Sequence, residues 1–548
     1  MPGLPRDLPV ARAAAPRENF MWKAFKYALV AGAVLALSPQ AMAATPADTL
    51  VIAKQIDDII SLDPAEAYEL SGIEVVTNTY DRIMRFEPTD VNKLVGGVAE
   101  SVTVGDDGKT FTFKIRAGQK FASGDPVTAG DAAFSLQRVI KLEKTPVFLL
   151  SQLGWTKDNI DKMVTAPDDA TLKVTIGVDF APTLVYALLG SVVGSVVDQK
   201  IVMSHDAGGD MGNAWLKNNS AGSGAYVLKS WTPNDSVVLE ANPNYRGGLA
   251  KLKRVVIRHV PEASAQRLAL EKGDVDIAEN LTPDQVTAIS GNKDVKVTTV
   301  PQALLYYIGL NLKTKELQDP RVRQALRYLV DYDGMAGSFL KGAMQVHQSF
   351  WASGFWAALD DNPYKFDPAK AKALLKDAGY PDGFSIDMDA PNFAPFTNMA
   401  QSVQSTMAQG GIKVNIVPAE MKPLLTKYRA RQHQMLMVYW GPDYMDPHTN
   451  ADGFITNTNN ADDAPGHPLA WRNTWQDKDL TAAVGAAASE RDEAKRKQDY
   501  IDLQKKVLDT GSYIIMFQST AQRADRANVA GFVQGPSADV TYYNLATK

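Results

Sequence analysis

Along most of this chain the spacing of apolar positions switches repeatedly between the two-residue period of strands and the three-to-four-residue period of helices. Residues 49–53 (TLVIA) form a short apolar run, and 110–115 alternate strictly as T-F-T-F-K-I. A strand at 101–104 precedes the second of these, across Gly105-Asp-Asp-Gly-Lys109. That insert has hairpin-turn chemistry, because Asp-Gly tolerates the positive φ of a tight turn. The same residues end like a phosphate-binding loop (Gly108-Lys109-Thr110), but the glycine that motif needs would fall at Thr103, so the turn is preferred. A helix is predicted over 128–140, with Thr128 as N-cap and Asp131 at the third helical position. Strands are predicted at 172–176 and 237–240. A strand at 255–260, a helix at 261–272 and a strand at 273–277 then argue for a parallel α/β unit.

The second half repeats the alternation. Strands are predicted at 306–311, 384–388, 413–417, 435–440 and 513–518. Helices are predicted at 320–330, 367–378, 398–409, 424–432 and 490–509. The 367–378 helix is well punctuated: Asp367 caps it, Pro368 fits its first turn and Gly379 stops it. The order suits an α/β protein of two lobes with a hairpin-rich insertion in the first.

The N-terminal pattern is different. Lys23 and Lys26 precede an apolar run over 28–37, followed by Ser38-Pro39-Gln40 and Ala41-Met42-Ala43. This is the charged region, short apolar region and A-x-A site of a secretory signal peptide, with cleavage expected after Ala43. The run is shorter than the roughly 20 residues a membrane-spanning helix needs. Residues 1–20 precede Met21 and read as an overlong start or extension. The expected product is an exported, periplasmic protein. Loss of 1–43 removes five basic and two acidic side chains, leaving 52 basic and 60 acidic and a formal charge of −8.

Composition narrows the chemistry. The chain has 548 residues, 45% hydrophobic and 22% charged, which suits a globular protein of several domains. A net charge of −5 gives no basic face for nucleic acid. There is no cysteine, which excludes disulfides, thiolate metal sites, a cysteine nucleophile and a lipidated N-terminal cysteine. His205, His259, His347, His433, His448 and His467 show neither HxxxH nor HExxH spacing, so no metal site is expected. There is no GxSxG elbow. Asp57-Asp58 and Asp462-Asp463 are adjacent pairs better suited to solvated turns than to acid–base work. No cofactor is expected.

Five stretches carry a family likeness. They are 99–138 (AESVTVGDDGKTFTFKIRAGQKFASGDPVTAGDAAFSLQR), Gly222-Ser-Gly-Ala-Tyr226 with Asn242-Pro-Asn-Tyr245, 306–326 (YYIGLNLKT with DPRVRQAL), 367–384 (DPAKAKALLKDAGYPDGF) and 440–447 (WGPDYMDP). In this order they are similar to the extracytoplasmic solute-binding proteins of ABC importers, in the family 5 group of dipeptide, oligopeptide and nickel binders. The likeness spans essentially all of the chain after residue 43. It implies a type II periplasmic-binding-protein fold of the cluster C kind. Two α/β lobes are joined by a hinge, with an extra subdomain in lobe one. The expected division is leader 1–43, lobe one 44–85, inserted subdomain 86–220, lobe one again 221–309, lobe two 310–511 and lobe one again 512–548. The implied partners are a small-molecule or short-peptide ligand and a membrane permease complex. The implied state is a monomer, and no catalysis is implied. An exported hydrolase is the competing class.

The resemblance also assigns residues. Peptide-binding members enclose an extended ligand and hold its α-ammonium with a buried aspartate, which corresponds here to Asp443. On residue chemistry alone, Pro442-Asp443 and Asp446-Pro447 read as turn dipeptides. With the resemblance, Asp443 is assigned to the ligand and Asp446 to the turn. Tyr439, Trp440 and Tyr444 would wall that carboxylate, with Trp440 packed on the ligand. Tyr68 and Leu70 would lie in a ligand-lining loop around 68–71. Trp351, Phe355 and Trp356 are further cleft candidates, or lid or core residues. The chain departs from the family where a ligand carboxylate is gripped. The stretch 389–397 (DAPNFAPFT) carries no cation, and Met437 stands where longer-peptide binders have an arginine. Lys427, Arg429, Arg431 and His433 are the substitutes to consider, against the simpler reading of a solvated helix end. A ligand without a conventional C-terminal carboxylate follows: a modified peptide, an amine-bearing conjugate or an oligosaccharide.

Overall fold

A computed structural model describes residues 45–88, 90–464 and 466–548. The signal-peptide assignment lies outside the described residues. No helix among them is long and apolar enough to cross a membrane.

In chain order the strands are β1 (Thr49–Lys54), β2 (Met84–Glu87), β3 (Asp90–Gly96), β4 (Ala99–Val104), β5 (Thr110–Ile115), β6 (Val164–Asp168), β7 (Thr171–Thr175), β8 (Tyr226–Thr232) and β9 (Ser236–Ala241). They continue as β10 (Arg254–His259), β11 (Ile277–Ala278), β12 (Val295–Leu310), β13 (Met344–Val346), β14 (Phe384–Pro391), β15 (Ile412–Ala419), β16 (Met435–Trp440) and β17 (Tyr513–Arg526). An 11-stranded sheet runs β15-β14-β16-β12-β17-β11-β1-β10-β9-β8, with β13 attached to β17. Parallel pairs flank its antiparallel middle, and the β10-β9-β8 end is antiparallel again. β14, β15 and β16 are parallel, and β1 lies parallel between β10 and β11. The helix Ala263–Lys272 connects β10 to β11, which is the predicted parallel unit. β12 and β17, 16 and 14 residues long, run antiparallel through the centre. Their pairing breaks register between Pro301 and Leu305. Proline has no N–H to give to a ladder, so the break falls where the backbone cannot bond regularly.

The apolar alternation assigns each face of the sheet. On β16, Met435 and Met437 enter one core while Leu436 and Val438 enter another. On β1, Leu50 and Ile52 divide from Val51 and Ala53 in the same way. Strands buried on both faces read as unbroken apolar runs, which explains MLMV and LVIA.

Residues 65–221 build a separate core under the four-stranded sheet β4-β5-β7-β6 and the hairpin β2-β3. The β4–β5 turn holds Gly108 at φ +63°, the geometry anticipated for Asp-Gly. The helix Ala129–Leu142 has a complete capping box between Thr128 and Asp131. From that helix Arg138 reaches back to the segment before the first helix. Its Nη1 and Nη2 donate to Asp63 Oδ1 and Oδ2 at 2.7 and 2.6 Å, and both side chains are buried. The Gly222-Ser-Gly motif proves to be a packing device. A Cβ on Gly222 would lie 2.2 Å from the carbonyl oxygen of Thr79, so the segment before β8 can approach the end of the helix Leu70–Thr79 there only without a side chain.

Several expectations need correction. Residues 68–71 are not all loop, because the helix Leu70–Thr79 begins there. Its β-branched residues Ile73, Val75, Val76 and Thr77 argue locally against a helix, and burial of nearly its whole length overrides that propensity. The strands expected at 306–311 and 513–518 are the ends of β12 and β17, whose more polar remainders lack an apolar run. The strand expected at 273–277 contracts to β11. Several further helices escaped the pattern, among them Pro182–Leu189, Pro283–Ile289, Pro447–Ile455 and Lys478–Ser489.

Candidate ligand-binding cleft

β16 delivers its chain from the sheet into Gly441-Pro442-Asp443, at the edge of a cavity. The Asp443 backbone N–H donates to Thr449 Oγ1 at 3.2 Å, which fixes the loop against the next helix. Across the gap, the segment preceding the helix Leu70–Thr79 supplies Tyr68, whose hydroxyl donates to Asp443 Oδ1 at 2.5 Å. Its ring meets Phe148 edge-on, with centroids 5.7 Å apart. Burial pushes the Asp443 carboxyl up from its ordinary value, the Tyr68 hydrogen bond pulls it down, and nearby Asp452 pushes it up again.

The adjoining cavity measures about 440 Å³. Leu70, Ser71, Asp57 and Asp58 line one side, Gly441 and Pro442 the other, and Gln302, Ala303 and Leu304 the base. That base is the register break of β12, so the cavity opens where the central strands stop pairing regularly. Lys54 ends β1 in its wall, bridging Glu74 and, at 3.0 Å, Glu279. The Tyr543 hydroxyl donates to Glu74 Oε1 at 2.5 Å. Sequence reasoning passed over Lys54, Glu74 and Glu279. The available signal was a lysine closing an otherwise apolar buried strand, since a buried cation needs acidic partners.

The second half of the fold also touches the inserted region directly. The Trp356 backbone N–H donates to Asn92 Oδ1 at 2.8 Å, the Ala181 N–H donates to the Ala488 carbonyl at 2.7 Å, and Arg491 pairs with Asp179 at 3.0 Å.

A profile of the bacterial extracellular solute-binding proteins, family 5, matches residues 93–462. The Escherichia coli (strain K12) probable D,D-dipeptide-binding periplasmic protein DdpA is 30% identical over 520 residues, 93% of this chain and 96% of its own. The chain belongs to the family 5 solute-binding proteins. The dipeptide-binding protein of the same organism is 26% identical over 508 residues, covering 87% of this chain and 90% of its own. Among solved structures, HbpA2 from Haemophilus parasuis overlays with a TM-score of 0.77 at 22% identity, over 91% of this chain and 99% of that one. The Helicobacter pylori periplasmic binding protein DppA in complex with the peptide STSA overlays at 0.74 and 23%, over 91% and 98%. The fold is therefore the type II periplasmic-binding-protein fold expected from the sequence.

Within this family 5 chain the eight candidate residues separate. Asp443 and Tyr68 meet, and Leu70, 65% exposed, lines the 440 Å³ cavity. Tyr439 and Trp440 are consecutive on a strand and cannot share a wall. Tyr439, 42% exposed, joins Tyr306 and Phe396 in an aromatic group with ring centroids 5.4–6.1 Å apart. Trp440 packs toward the helix Pro447–Ile455, its Nε1 donating to Asn450 Oδ1 at 3.2 Å. Tyr444 belongs to the core of the inserted region, with its hydroxyl donating to Gln152 Oε1 at 3.2 Å, so it does not wall Asp443 as expected. Trp351 and Trp356 line a different cavity of about 340 Å³, with Phe355, Leu94, Tyr186 and Arg496. Asp446 is more than a turn residue. It caps the helix Pro447–Ile455 and accepts from both Arg496 Nη atoms at 2.8 and 2.9 Å in a buried pair.

Two of the substitute cations are engaged elsewhere. Lys427 pairs with Asp389 at 2.7 Å, and Arg431 is held by Asn460 and Asp462. Met437 is core, and Arg429 is exposed. His433 is buried, with Nε2 2.9 Å from Asn473 Oδ1. Burial pulls its pKa down to about 4, although the Asn473 bond opposes this. As pH falls below the ordinary histidine value, the unfolded chain takes the proton first, so stability is lost down to about 4 and then levels off. His433→Gln should make the protein less acid-sensitive than wild type by roughly 2 kcal/mol between pH 7 and pH 5, measured by urea unfolding at both values. Equal acid sensitivity of the two proteins would remove His433 from this role.

Proposed function

We propose that this chain is the periplasmic receptor of an ABC importer. It captures a short peptide or related amine-bearing solute between its two halves and presents it to the permease. The observation carrying this reading is the Tyr68–Asp443 hydrogen bond. On this reading a sheltered carboxylate of one half meets a residue of the other, next to Pro442, which lines a cavity of solute size. A guest ammonium reaching Asp443 would contact both halves only when they are together. It would thus shift the open–closed equilibrium by its differential affinity. The family membership, and relatives named as dipeptide-binding and glutathione-binding proteins, support the same class of solute.

On this reading the halves of the large sheet are the lobes, divided near the boundaries given above, with β12 and β17 as the hinge. The receptor works as a monomer, binds without turnover and is released into the periplasm after cleavage at Ala43. The test uses protein refolded free of co-purified solute and a defined library of di- and tripeptides. A binding peptide should raise the melting temperature, compact the molecule in small-angle scattering and be recovered unchanged. Hydrolysed peptide would favour the exported-hydrolase class. Superimposable scattering curves at saturation would sink lobe closure.

A further inference from the structure

Resting on the proposed amine-binding function, we infer that the cleft selects a solute with a second cationic group, held by the acidic wall around Lys54. The charges lining the 440 Å³ cavity are unbalanced: Lys54 is the one cation, against Asp57, Asp58, Glu74 and Glu279. Lys54 is already shared between Glu74 and Glu279. Glu279 is only 8% exposed, and its Oε1 has no hydrogen-bond partner among the described residues. Asp58 accepts the Ser71 N–H on Oδ2 at 3.0 Å, and its own Oδ1 is buried and without a partner among the described residues. Arg523 also acts on Glu279, as the least of the influences on its carboxyl, but is itself paired with Asp525 at 2.6 Å. Buried carboxylate oxygens without donors are costly. An ammonium or guanidinium group entering the cavity would supply the donors and offset the excess charge.

Asp443 adds a further carboxylate beside Pro442 at the cavity edge. The cleft therefore offers two acidic positions, one for each end of a dicationic guest. The same wall would repel a free ligand carboxylate. That fits the lack of a cationic residue within 389–397, where Lys427 is already paired with Asp389. The predicted class is a basic peptide with a masked C-terminus, or a diamine of similar reach.

Isothermal titration with Ala-Lys and Ala-Ala-Lys amides, against their norleucine isosteres and glutamate counterparts, tests this. At least one lysine amide should bind tenfold or more tighter than its norleucine isostere, with the glutamate amide weakest and the preference shrinking in salt. Glu279→Gln should narrow the lysine-to-norleucine ratio to about threefold. Asp58→Asn, which keeps an acceptor for the Ser71 N–H, should narrow it too and serves if Glu279→Gln does not fold. Norleucine amides binding as well as lysine amides in wild type would overturn the second-cation site and leave the amine receptor standing. Wild-type protein that binds none of these amides would overturn both.

Discussion

Asp443→Ala should weaken binding of an amine-bearing peptide by about 2–5 kcal/mol, a loss of some thirtyfold to several-thousandfold. The size of the effect comes from the setting of the carboxylate. Burial strips much of its water and thereby pushes its pKa up. A cation arriving there regains that lost solvation as a charge-assisted hydrogen bond. Asp443→Asn separates charge from shape, since it keeps an acceptor for the Tyr68 hydroxyl. It should lose nearly as much affinity as the alanine variant. Affinity in wild type should also fall as pH drops through the raised pKa of Asp443, because protonation removes the charge the ammonium needs. Titration calorimetry on the variants at two pH values reads all of this. Unaltered affinity in Asp443→Ala would remove the residue from the site.

The largest effect on stability is expected at Arg138. Replacing it with alanine should cost about 3–5 kcal/mol in denaturant unfolding, because Asp63 would keep a buried charge without its cation. Asp63 also accepts from the Ala65 N–H at 3.0 Å and Asn213 Nδ2 at 2.7 Å. Those bonds hold the carboxylate in place but carry no charge to balance it. The double variant Asp63→Leu with Arg138→Met should recover much of the loss, since apolar residues of similar bulk can replace a buried pair. A loss below 1 kcal/mol in Arg138→Ala would mean that Asp63 escapes to solvent when its partner is removed.

These two residues illustrate what local sequence carries. Arg138 lies in one of the stretches that pointed to the family, yet nothing nearby identifies its partner, 75 residues away. Asp443 was reached through the WGPDYMDP stretch, while Tyr68, 375 residues distant, became its donor only through folding. Trp351 and Trp356, expected at the ligand cleft, line a different cavity. A strand of consecutive tyrosine and tryptophan, however, could not say which of the two would face the cleft. The acidic wall around Lys54 was missed because Glu74 and Glu279 sit in unrelated segments, each unremarkable by itself.

The sequence alone determined the α/β alternation, the capped helices at Thr128 and Asp367, the β4–β5 hairpin and the buried strand β16. Each depends on a period, a cap or a turn spanning a few neighbouring residues. Tertiary structure decided the full length of β12 and β17, the helix at 70–79, and the pairings Tyr68–Asp443, Arg138–Asp63 and Lys54–Glu279. Those depend on which distant segments share a low-dielectric interior. There, burial overrides local propensity, and an ionised group persists only where another part of the chain supplies its partner.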